Sequence, residues 1–181
     1  MISGGQRFNT YFLLLLALMF ACGCQSPETK RKKALSTLGV HLDASREAAD
    51  KTEVISIPRE HPVIITVQKA PFLTQNDVKE AKVVEVVGGF ALRVQFDRRG
   101  TLLLEQYSSD RVGKRFAIFS QFAAPPPDQK LNKGRWLAAP RINHRIADGV
   151  LVFTPDATRE ETDQIALGLN NLAKELKKKS E

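Results

Sequence analysis

The stretch from Phe90 to Phe122, FALRVQFDRRGTLLLEQYSSDRVGKRFAIFSQF, leaves this chain the fewest options. Phe90, Leu92, Val94 and Phe96 alternate with Ala91, Arg93 and Gln95, the period-two pattern of a strand with one dry and one wet face. Asp97-Arg98-Arg99-Gly100 then stops the strand with turn chemistry. Leu103 and Tyr107, four apart with Leu104 beside them, mark one stripe of a helix. Gly113 follows where a helix end often needs positive φ, and Arg115 to Phe122 resumes as a strand. A strand, helix and strand in this order predict mixed layers, and no catalytic motif interrupts them.

A length of 181 residues with 43% hydrophobic content suffices for one compact core. The two cysteines, Cys22 and Cys24, both lie near the N-terminus. Downstream there is no material for a disulfide, a thiol nucleophile or a cysteine metal site. Just before them, Tyr11 to Ala21 is an unbroken apolar run that only Arg7 precedes as a charge. It is shorter than the roughly 20 residues that a spanning helix needs, and it fits a secretory h-region. Ala21-Cys22-Gly23-Cys24 resembles the lipobox of bacterial lipoproteins, with small side chains leading into Cys24. The resemblance implies a signal peptide over 1–23, acylation of Cys24 and attachment to membrane lipid. With Gln25 and Ser26 after the cysteine, and no aspartate, it points to the outer rather than the inner membrane. Residues 24–33, ending in Lys30-Arg31-Lys32-Lys33, are polar and read as a tether.

Residues 34–61 carry alternating, β-branched segments around Val40, Val54 and Ile57 and read as short N-terminal strands. The main domain is expected over 62–176, opening with the strand PVIITVQK. Thr74 with Asp77 three residues on forms a capping-box pattern, and Val78 and Ala81 give the expected short helix a buried edge. A strand over 82–87 follows, and Gly88-Gly89 joins it to Phe90 as a hairpin. AAPPPDQKLNKG, from Ala123 to Gly134, reads as a stiff exposed excursion. Gly149 to Phe153 is a further strand. Thr158-Arg159-Glu160-Glu161 is a second capping box, opening a helix whose stripe is Ile165, Leu169, Leu172 and Leu176, with Asn170 and Asn171 expected in water. A basic tail over 177–181 ends a chain of formal charge +7. Such a tail attracts any polyanion, and its lysines also complement the negative end of a helix dipole.

Candidates for chemistry are scattered. His41, His61 and His144 lie on separate elements, and His144 with Asp148 lacks a third ligand. Ser108-Ser109-Asp110 sits at a helix end, where hydroxyl hydrogen bonding explains it. Adjacent Glu160 and Glu161 point apart on a helix and suit its positive end. Gly88-Gly89 has neither the third glycine nor the lysine of a phosphate loop. No catalytic, cofactor or metal site and no nucleic-acid partner is predicted.

Taken in order, PFLTQNDVKEAKV, VQFDRRG, VGKRFAIF, APRI, DGVLVFT and TREETDQIALGLNN resemble the head subdomain of the first periplasmic domain of the export protein SecD, across roughly 62–172. The resemblance implies an α+β fold, a largely antiparallel sheet with helices packed on one face and a relative of ferredoxin-like folds. It also implies a surface that contacts translocating polypeptide. Without transmembrane helices or room for the family's base subdomain, the chain is not expected to be an export motor. The expected function is therefore a non-enzymatic, membrane-anchored envelope lipoprotein that presents this surface to a polypeptide or protein. The alternatives are a structural lipoprotein that touches cell wall or lipid, and a hydrolase without a visible site. Arg93, Arg98, Arg99, Trp136 and the Ala123–Arg135 loop are the candidate partner surface, Trp136 being also a core candidate.

Overall fold

In a computed structural model the described residues are 34–44, 49–59, 61–123 and 132–180. The expected signal peptide, Cys24, the expected tether and the proline run of the expected excursion lie outside them. Among the described residues, nine strands and two α-helices build an α+β fold in which every strand pairing is antiparallel.

The strands are β1 (Gly39–Leu42), β2 (Thr52–Ile57), β3 (Val63–Gln68), β4 (Leu73–Thr74), β5 (Val78–Val86), β6 (Gly89–Phe96), β7 (Phe116–Ala123), β8 (Asn132–Ala138) and β9 (Val150–Phe153). The helices are α1 (Arg98–Asp110) and α2 (Arg159–Ser180). The strands fall into three groups: a four-stranded sheet β4-β1-β7-β8, a three-stranded sheet β5-β6-β9 and the hairpin β2-β3. The N-terminal strands are thus not a prelude to the fold, since β1 lies between β4 and β7.

One core joins both larger sheets and both helices. Leu92, Val94 and Phe96 of β6 meet Ile165 and Leu169 of α2, Leu104 of α1, Val40 of β1 and Ile118 of β7. The apolar row of β6 and the stripe of α2 thus face the same interior. A thinner layer lies beyond the four-stranded sheet, where Ile55 and Val67 of the hairpin pack on Ala117, with Trp136 and Ile65 half-buried beside them. β1 is consequently buried at all its positions, although its sequence alternates.

Local rules set most boundaries. Asp97 ends β6 and caps α1, its Oδ1 accepting the Gly100 N–H at 2.7 Å. Gly100 packs so closely on Phe96 that a methyl group there would approach its Cβ to 2.8 Å, which allows the tight entry into α1. Gly113 has φ of +84° just past the end of α1. Both expected capping boxes are present. Thr74 Oγ1 accepts the Asn76 N–H while Asp77 Oδ2 accepts the Thr74 N–H, and Thr158 and Glu161 exchange the equivalent pair.

Three local expectations are corrected. Residues 75–77 form only a 3-10 turn, and Val78 and Ala81 belong to β5 rather than to a helix. Their three-residue spacing comes from a bulge between Val78 and Glu80, which brings both inward on one strand. The hairpin turn is Val87–Gly88, with Val86 opposite Gly89, one residue earlier than the paired glycines suggest. Finally, Asn170 and Asn171 bind backbone rather than water alone. Asn170 Nδ2 donates to Ala81 O and its Oδ1 accepts the Ala81 N–H, both at 2.8 Å, and Asn171 Nδ2 donates to Ala34 O at 2.9 Å.

Candidate functional site

The expected surface residues do not converge. Arg93 stands on the outer face of β6, opposite Val152 of β9. Arg98 and Arg99 occupy the first turn of α1, where Arg98 is exposed and Arg99 is ion-paired with the buried Asp77. Trp136 belongs to the other sheet, half-buried and edge-on to His41 and Phe119 at ring separations of 4.8 and 5.2 Å. Most of the Ala123–Arg135 loop lies outside the described residues. Arg135 itself pairs with Glu161 of the capping box and sits over the Phe122 ring.

A groove that the linear sequence does not announce lies along β9. This strand ends its sheet, so among the described residues one edge has no strand neighbour. Facing that edge is the segment that leaves β8, tied in place by Ile142 N–H to Lys114 O at 2.8 Å and Phe116 N–H to Pro140 O at 3.1 Å. Between them lie two cavities of about 580 and 540 Å³ that share Pro140, Arg141, Asn143 and Val152. At one end Asp156 N–H donates to Leu137 O at 2.6 Å and closes the gap between the walls.

The chemistry of this groove is one-sided. Ala91, Ala138 and Val152 provide an apolar floor, while Arg59, Arg115 and Arg141 stand around the 540 Å³ cavity. No Asp or Glu is among its described lining residues. Arg59 and Arg115 are aimed by backbone carbonyls, through Nη2 to Thr154 O and Nη1 to Ala139 O respectively. Each of those bonds uses one of a guanidinium's five donors and leaves others for the groove. Asp148, the one carboxylate among the described lining residues of the neighbouring cavity, caps its own loop by accepting the Val150 N–H at 3.0 Å. Arg115 and Arg141 lie 26 positions apart, and only the isolated bridge between them makes them neighbours. Their one sequence signal was the positive balance itself.

Elsewhere the titratable groups serve structure. Burial pushes the His41 imidazole below its ordinary value, while its Nδ1 bond to Gln68 O, at 2.9 Å, partly opposes the shift. Hydrogen bonding to Arg159 lowers the Glu85 carboxyl, and the free amides at the start of α2 lower Glu160. Among the described residues, no three His, Cys, Asp or Glu side chains gather as a metal site, and no helix is long and apolar enough to cross a membrane.

The model of the SecDF P1 head subdomain matches residues 40–173, most of the chain. The chain belongs to the SecDF P1 head family. A solved SecDF, described as a membrane component that enhances protein export, aligns with this P1 head protein at TM-score 0.52 and 20% identity, over 80% of this chain and 66% of that one. SecDF in a super-membrane-facing form aligns at 0.46 and 17% identity, over 91% of this chain and 33% of that one. SecDF from Thermus thermophilus, a translocon-associated membrane protein, aligns at 0.40 and 17%, over 92% and 34%. No curated protein matches the sequence. The P1 head chain thus spans at most about two thirds of these proteins.

Proposed function

We propose that this protein is a non-enzymatic, lipid-anchored P1-head protein of the cell envelope, which contacts polypeptide in connection with protein export. The observation that carries the reading is the family match over 40–173, joined to an N-terminal apolar run, Tyr11 to Ala21, that leads into Cys24. In SecDF the head is one part of a membrane protein. Here the acylated Cys24 would take over the anchoring, in the outer membrane by the residues that follow it, and the domain would act by touch. Several acyl chains, at about 0.8 kcal/mol per buried methylene, would hold it at a bilayer.

Photo-crosslinking in intact cells, followed by mass spectrometry, tests both halves. The expected products are secreted polypeptides or export components, together with a mature N-terminus at acylated Cys24. Crosslinks to cell wall or lipid alone would favour a structural spacer, for which the lysines at the end of α2 would be the contact. An acyl-free N-terminus would remove the anchor.

A further inference from the structure

The groove along β9 combines three features that together specify a kind of ligand. The first is an open strand edge. β9 closes one side of its sheet, and its far edge looks across a gap toward the end of β8 and the Ala139–Asn143 segment that leaves it, with no strand paired to that edge among the described residues. Two outward groups of this edge are already engaged, the Val150 N–H by Asp148 and the Thr154 carbonyl by Arg59, and the outward groups between them, centred on Val152, are satisfied either with water or with an added strand.

The second is length. The groove follows β9 from Val150 to Thr154. At about 3.3 Å per residue it accepts an extended segment of about five residues. The Asp156–Leu137 hydrogen bond closes the end beyond Thr154, so a strand there has a stop.

The third is charge. Arg59, Arg115 and Arg141 are gathered around one cavity without a carboxylate among its described lining residues. Like charges held together without a counter-charge are unfavourable until an anion joins them. Arg59 and Arg115 are oriented by carbonyls before any ligand arrives, which reduces the ordering cost of binding. Guanidinium forks suit carboxylates, and the apolar floor of Ala91 and Val152 suits the alternate side chains of a strand.

We infer that the β9 groove binds an extended acidic polypeptide segment by strand addition. The segment lies beside β9, presents carboxylates to Arg59, Arg115 and Arg141, and turns its intervening apolar side chains to the floor. The inference deepens the polypeptide-binding reading by assigning a place, a backbone conformation and a charge to the bound chain.

The test uses the purified full chain in detergent and fluorescein-labelled octapeptides, read by fluorescence anisotropy. One peptide alternates valine and glutamate, a second alternates valine and lysine, and a third is the acidic peptide N-methylated at alternate amides. The acidic peptide is expected to bind saturably, at least about tenfold tighter than either of the others. Each arginine–carboxylate contact contributes on the order of tenfold at a partly dry site. Arg141→Gln is expected to weaken the acidic peptide by about tenfold. Arg141→Glu should shift the preference toward the valine–lysine peptide. Arg141 is exposed, so these variants fold normally, and circular dichroism checks that they do.

Equal binding of acidic and basic peptides, indifference to N-methylation, or an Arg141→Glu protein with unchanged preference would each overturn the inference. That failure is separate from failure of the broader reading. Crosslinks to secreted chains that persist in Arg141→Glu leave the broader function standing and remove this groove. Acidic peptide binding without any such crosslinks does the reverse.

Discussion

Asp77 is almost inaccessible, yet it joins three elements. Its Oδ2 accepts from Thr74 N–H at 2.9 Å and Thr74 Oγ1 at 3.2 Å, its Oδ1 pairs with Arg99, and its backbone carbonyl accepts the Asp97 N–H at 2.8 Å. The Arg99 side chain is 71% exposed and stays solvated if the pair is broken, so the ion pair itself contributes little. Asp77→Ala should therefore cost about 2–3 kcal/mol, the value of the lost hydrogen bonds and cap, and Arg99→Ala, which leaves the buried carboxylate its two Thr74 bonds, a smaller loss of about 1 kcal/mol. Urea unfolding of the two variants measures this asymmetry, and equal losses would contradict it. His41 gives a pH-dependent counterpart. Its pKa is lower folded than unfolded, where it is about 6.5, so the unfolded chain alone takes up a proton as pH falls through that value. Stability should be level with respect to this group above about pH 7 and should decline as pH falls below about 6.5, until the folded pKa is reached. Urea midpoints across this window should fall more steeply for the native protein than for His41→Gln.

Among the elements, those governed by adjacent residues were legible in the sequence, and those governed by distant partners were not. The limits of α1 follow from Asp97 and Gly113, and the stripe of α2 from Ile165 and Leu169, because caps and periodicity act within a few turns. The bulge of β5 imitates a helical spacing at Val78 and Ala81, so the local pattern there points to the wrong element. The pattern around Asn170 points to water because a polar residue on a helix normally belongs there. The partner that claims it, Ala81, is 89 positions away. That side chain supplies β5 with the donor and acceptor of a missing strand. Asn170→Ala should leave both groups of Ala81 unpaired in a buried setting, at a cost of about 2–4 kcal/mol. Hydrogen exchange provides the specific readout: the Ala81 amide should lose protection before its neighbours in β6. The arginines of the β9 groove were hidden for the same reason, since only folding makes neighbours of Arg59, Arg115 and Arg141.

At the scale of the molecule, two layers of unequal depth enclose the four-stranded sheet. The inner layer contains Leu92, Phe96, Ile118 and Leu169, and the outer layer is mainly Ile55 and Val67 against Ala117 and Trp136. A thin layer can open without disrupting the thick one. The single tryptophan of the chain lies in it and reports on it. Val67→Ala should remove about 2–3 kcal/mol from this layer and shift Trp136 emission to the red at denaturant concentrations where helical circular dichroism is still native. Coincident transitions would show that the hairpin β2-β3 and the main core unfold together.

The three-stranded sheet has unlike flanks, because Asn170 of α2 occupies both backbone groups of Ala81 in β5, while β9 is met at its two ends, by Asp148 on the Val150 N–H and Arg59 on the Thr154 carbonyl. A molecule built this way is a socket without a matching plug. A copy offering its β5 edge to a neighbour's β9 would first have to give up the Asn170 bonds to Ala81, which disfavours head-to-tail chaining through this sheet.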